Sequence, residues 1–154
     1  MRFYTFREGT PMYESKISDG KWIAYDLPGN AGWISFWAGL ILCFTKRPEI
    51  VENRLILTAL LLDVLCGAVM IVGIAELINE RMQKLDRVLP KKRLYRGFGA
   101  LTFGGLAGGV ISLLALAAAW AKGLAGAAYL AVLCGGGLLC FVFGGLLLRG
   151  YKKI

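Results

Sequence analysis

The sequence predicts an all-α integral membrane protein: a four-helix transmembrane bundle with a small N-terminal cytosolic β segment. Three observations lead there. Of the 154 residues, 57% are hydrophobic and only 18% charged, whereas a typical soluble domain has about half and about a quarter. The apolar residues are gathered into blocks long enough to cross a bilayer, whose hydrocarbon core of about 30 Å takes roughly 20 helical residues rising about 1.5 Å each. The lysines and arginines lie between those blocks and are unevenly shared among the gaps. This composition excludes a disordered chain, a collagen and a disulfide-framed secreted domain.

Residues 1–28 form the N-terminal cytosolic segment. They lack the continuous apolar run of a signal peptide, so no cleavage is expected. Instead they alternate in character: Arg2–Arg7, Met12–Ser18 and Lys21–Tyr25 read as strands, with Gly9, Thr10 and Pro11 between the first two and Asp19-Gly20 at a hairpin turn. A three-stranded sheet follows, because one hairpin alone is marginal in water. An unstructured tail with its aromatics resting on lipid is the alternative.

The transmembrane bundle occupies 29–148, with spans near 29–45, 55–77, 97–121 and 124–148. The first has 17 residues and is the shortest, with Trp33 and Trp37 as interfacial anchors. If it were re-entrant, three spans would remain. Residues 149–154 are read as a cytosolic tail.

Four spans place the N-terminus, the second loop and the C-terminus on one side. That side carries 14 of the 18 lysines and arginines, which assigns it to the cytoplasm. The expected setting is a bacterial cytoplasmic membrane with both termini cytoplasmic.

Beyond the second span, Ile78, Met82, Leu85 and Leu89 recur at helical spacing, with Glu80, Arg81, Lys84 and Arg87 on the opposite face, until Pro90. Residues 78–96 therefore read as a basic amphipathic loop. Its end, with Lys91, Lys92, Arg93 and Arg96, is expected to contact anionic lipid, where each cation contributes about 1 kcal/mol. Membrane orientation accounts for the net charge of +8, and no nucleic-acid partner is expected.

Two acidic residues fall inside the spans, Asp63 and Glu76. Glu76 is near the cytoplasmic end, where water or Arg81 can meet it. Asp63 lies deep, at a cost of roughly 2.5–3.5 kcal/mol on the insertion scale, and such residues are candidates for function. The 13 Leu, Ile and Val residues of 55–77 outweigh that cost at about −0.3 to −0.6 kcal/mol each, so insertion does not require a partner for the carboxyl.

Depth matching identifies possible partners. Asp63 is eight residues in from Leu55; Ser112 lies at nearly the same depth in the third span, Ser35 and Trp37 in the first, and Tyr129 and Cys134 within about a turn in the fourth. None is basic. The economical state is a protonated Asp63 hydrogen-bonded to Ser112 or a backbone carbonyl. Asp63 and Ser112 are thus the candidate ion or proton site, with a polar packing contact as the simpler alternative.

Small residues recur every four positions at Gly104, Gly108 and Ser112, with Gly105 and Gly109 beside them, and at Gly136, Cys140 and Gly144. Such faces let backbones approach where water no longer drives helices together. The short Lys122-Gly123 connection favours packing of the third span on the fourth; a homo-oligomer is the other use of these faces.

Cys43, Cys66, Cys134 and Cys140 all fall in spans and read as small buried residues. No histidine is present, and no metal site, cofactor or catalytic residue is expected. An enzyme is the least supported class. The expected function is an accessory or interaction subunit of a membrane complex, with the bilayer and either a second copy or a larger membrane protein as partners. The alternative is a proton- or cation-coupled small transporter or channel that uses Asp63.

Overall fold

The computed structural model describes residues 12–82 and 88–153. The chain runs β1 (Met12–Ser15), α1 (Asp19–Lys46), a short α2 (Pro48–Val51), α3 (Arg54–Met82), β2 (Val88–Pro90), α4 (Lys91–Leu94), a π turn (Tyr95–Gly99), α5 (Ala100–Ala121), α6 (Ala127–Arg149) and β3 (Tyr151–Lys153). Helix α4, the π turn and α5 form one continuous rod. Among the described residues, four helices are long and apolar enough to cross a membrane: Gly20–Lys46, Arg54–Ile78, Lys91–Ala121 and Ala127–Arg149. By length and composition they suit an integral membrane bundle.

Helix α1 lies chiefly on α6, α6 on α5 and α5 on α3, whereas α1 and α3 approach much less. Glycine sets the three close seams. A Cβ on Gly32 would stand 2.8 Å from the Gly136 carbonyl, one on Gly137 would stand 2.7 Å from the Gly109 nitrogen, and one on Gly104 would stand 2.9 Å from the Cys66 carbonyl. In lipid these approaches supply the packing that a hydrophobic drive supplies in water. The fourth seam is wide and filled by rings: Phe36 and Trp37 of α1 reach Gly67 of α3, and Phe36 also reaches Gly108 of α5.

The small-residue faces divide between neighbours more finely than the sequence reading had them. Gly105 and Gly109 of α5 face α6, while Gly104 and Gly108 face α3 and Phe36. In α6, Gly136 faces α1 and Gly137 faces α5. The turn between α5 and α6 closes on Gly123 at φ 65°. There Leu124 N donates to Ala119 O at 3.0 Å and Gly123 N to Trp120 O at 2.9 Å, a left-handed helix stop that favours glycine.

The sheet differs from the expected one. It has three strands in the order β2-β1-β3, drawn from three distant parts of the chain rather than from 1–28. Strand β1 pairs antiparallel with both neighbours, Tyr13 standing opposite Leu89 and Lys153. Among the described residues of the N-terminal segment only Met12–Ser15 is a strand; the expected strand Arg2–Arg7 and its Gly9-Thr10-Pro11 turn lie outside the described residues.

Lys21–Tyr25 is helix, the opening of α1, and Asp19-Gly20 starts that helix instead of turning a hairpin. The reason is facial. A strand would send Trp22 and Tyr25 to opposite faces, whereas a helix puts residues three apart on one side. Both are used there: Trp22 meets Phe98 and Tyr151, with centroids 5.7 and 6.0 Å away, and Tyr25 meets Phe143 at 6.3 Å. Val88–Pro90 is strand, so the amphipathic helix expected to run to Pro90 does not do so; Lys84, Leu85 and Arg87 lie outside the described residues. The tail after Arg149 is β3, held by Tyr151, which is buried among Trp22 and Phe98.

Candidate functional site: the Asp63 layer

Among the described residues, the buried positions of α3 are Ile56, Leu60, Asp63, Gly67, Met70, Ile74 and Leu77, with Gly73 buried beside Ile74. They alternate in steps of four and three, the spacing of a seam that stays against its neighbours along the whole helix. Asp63 belongs to this seam, whereas Leu55, Leu61, Leu62 and Leu65 point outward. Ser112 is carried into the same interior by the α5 stripe that Gly104 and Gly108 open toward α3.

The Ser112 hydroxyl donates to Asp63 Oδ2 at 2.8 Å, and both residues are fully buried. The second carboxyl oxygen, Oδ1, is buried without a hydrogen-bond partner, as is the indole Nε1 of Trp37. Trp37 and Asp63 are one turn apart along the bundle: a Cβ on Gly67, four residues beyond Asp63, would stand 2.7 Å from Trp37 Cζ2 and 2.9 Å from Cε2. Cys43, Cys66 and Cys134 lie within electrostatic range of the carboxyl. Among the described residues the buried polar side chains are Ser15, Asp63 and Ser112.

All four cysteines are free thiols. Cys134 Sγ donates to Gly109 O at 3.5 Å and Cys140 Sγ to Gly29 O at 3.6 Å, so each ties α6 to a close neighbour. Ser35 and Tyr129, matched to Asp63 by depth, do not bond to it. Tyr129 instead lies 4.8 Å beneath the Arg47 guanidinium, which also pairs with Glu49 at 3.6 Å.

The four cations of the basic stretch have different surroundings. Lys91 and Lys92 are exposed and Arg93 is half-buried. Arg96 Nη1 stands 3.6 Å from Glu76 Oε1; the π turn brings this pair together at the sheet end of the bundle. Sequence reading had offered Arg81 or water to Glu76. It also missed Phe36, whose ring lines the Asp63 layer, and the Trp22–Phe98–Tyr151 cluster. Aromatic spacing alone does not separate a lipid-facing ring from a buried one.

No known protein family, no curated protein and no solved structure matches this chain.

Proposed function

We propose that this chain is an accessory subunit of a membrane complex, with its helices in the bilayer and its sheet serving as a docking platform at the bundle end. The observation that carries the reading is the sheet: segments before α1, between α3 and α4 and after α6 pair with one another. Pinning by Tyr151 makes that end a single surface, on which Lys16, Lys91, Lys92, Lys152 and Lys153 are exposed. The positive-inside bias favours a cytosolic setting for it, in a bacterial cytoplasmic membrane. Lys91 and Lys92, with Arg93 and Arg96 nearby, are then placed to contact anionic headgroups.

The Ser112 partner of Asp63 also supports this reading over a pore. The test is purification of the full chain in mild detergent, followed by native mass determination of wild type and Tyr151→Ala. A stoichiometric membrane protein that leaves with the Tyr151 change supports the subunit. Only the chain itself, alone or in copies, overturns it.

The unpartnered Oδ1 of Asp63 favours a second reading, a proton- or cation-coupled transporter. Liposomes holding wild type and Asp63→Asn decide it: flux that Asp63→Asn abolishes supports transport, and equal flux removes it.

A further inference from the structure

We infer that a single water molecule bridges Trp37 Nε1 and Asp63 Oδ1, tying α1 to α3 across the one wide seam of the bundle. Both atoms are buried side-chain polar atoms without a hydrogen-bond partner. A buried donor or acceptor left dry and unpaired keeps its full desolvation penalty, and lipid offers no substitute partner.

The geometry brings the two groups to neighbouring turns of one seam. Trp37 presents the Cε2–Cζ2 edge to Gly67, and Nε1 is bonded to Cε2. Gly67 is one helical turn from Asp63, on the same buried side of α3. A water reaches both groups by two successive hydrogen bonds of about 2.8 Å each. Gly67 admits the indole edge: a Cβ there would stand 2.7 Å from it.

The chemistry selects water over a metal ion or an apolar filler. Trp37 only donates, so the bridging group must accept, which a metal cation cannot do. Because Ser112 donates to Oδ2, Oδ1 is the oxygen that either accepts as a carboxylate or carries the proton of a neutral acid. Water serves both states, accepting from the indole in each and donating to or accepting from Oδ1. The result is one chain of hydrogen bonds from α1 through α3 to α5, where the backbones of α1 and α3 themselves stay apart.

The test uses the full chain in lipid nanodiscs with 15N-labelled tryptophan. Trp120 is exposed and Trp33 Nε1 donates to Asn30 Oδ1 at 3.0 Å, so their indole signals differ in kind from that of Trp37, which Trp37→Phe assigns. The expected result is a Trp37 indole proton with a water cross-peak and slower solvent exchange than Trp120. In Asp63→Leu that cross-peak is lost. No water cross-peak in wild type, or one unchanged by Asp63→Leu, overturns the bridge. Should Asp63→Leu fail to fold, a high-resolution structure of the wild type decides. Solvent density within hydrogen-bond distance of both atoms supports the bridge; direct contact between them, or a gap without density, overturns it.

Discussion

Ser112 and Asp63 are 49 residues apart in the chain, and the hydroxyl of one donates to the carboxyl of the other across 2.8 Å in the middle of the bundle. The bond joins α5 to α3. Ser112→Ala removes the donor and leaves Oδ2 buried, which should cost about 1–3 kcal/mol. Replacing both residues by apolar ones should recover most of that loss, because no polar group is then stranded. Thermal unfolding in detergent of Ser112→Ala, Asp63→Leu and the double variant checks this. Additive losses would show that the two side chains do not act as a pair.

The seam between α5 and α6 yields a sharper comparison, since two glycines of α6 two residues apart have opposite surroundings. A Cβ at Gly137 would stand 2.7 Å from Gly109 N and 2.9 Å from Gly105 O, both backbone atoms, whereas nothing lies within 4 Å of one at Gly135. Backbone cannot turn aside as a flexible side chain can. Gly137→Ala is therefore expected to destabilise by about 1–3 kcal/mol as an overpacked interface. Gly135→Ala should be neutral or slightly stabilising through helix propensity. Unfolding midpoints of the two single variants measure the difference.

These same residues show what could be read in advance. In a soluble helix the apolar side marks the core, but in lipid both sides are apolar: Leu60 is buried and Leu61 exposed, with nothing in their chemistry to separate them. Asp63, Ser112 and the glycines mark the inside because they are the residues lipid accommodates worst or backbones need most. That is why depth matching could bring Asp63 and Ser112 to one layer. It could not show that Phe36 would fill the layer, or which of two adjacent glycine stripes meets which helix. The sheet was legible only at β1, since pairing among segments so far apart in sequence leaves no local pattern. Lys21–Tyr25 alternates like a strand yet becomes helix, as Trp22 and Tyr25 find ring partners on one face.

Tyr151 is the residue on which the sheet depends. Its ring lies 6.0 Å from Trp22 and 5.7 Å from Phe98, and its backbone is opposite Ser15 in the β1–β3 pairing. Tyr151→Ala empties that space and should cost about 3 kcal/mol, the lower end for removing a buried ring. Freed from the cluster, β3 should become a site of proteolytic cutting, while the helices, embedded in lipid, stay intact. Tyr151→Phe keeps the ring packing and should stay resistant. Limited proteolysis followed by mass determination of the fragments tests both variants.

Pairing of β1 with β2 and β3 also constrains topology. Strands before α1 and after α6 can pair only if both chain ends emerge at the same end of the bundle, which requires an even number of crossings. Lys122, in the α5–α6 turn, must then lie at the opposite end from Lys152. Both are exposed, so Lys122→Cys and Lys152→Cys can be labelled, while the native Cys43, Cys134 and Cys140 are buried. With lysine and arginine in excess at the sheet end, the positive-inside rule predicts that end in the cytoplasm. A membrane-impermeant maleimide applied to intact cells should therefore label Lys122→Cys, and should reach Lys152→Cys only after permeabilisation. Labelling of both from the same side would mean an odd number of crossings, and the strands could not then meet.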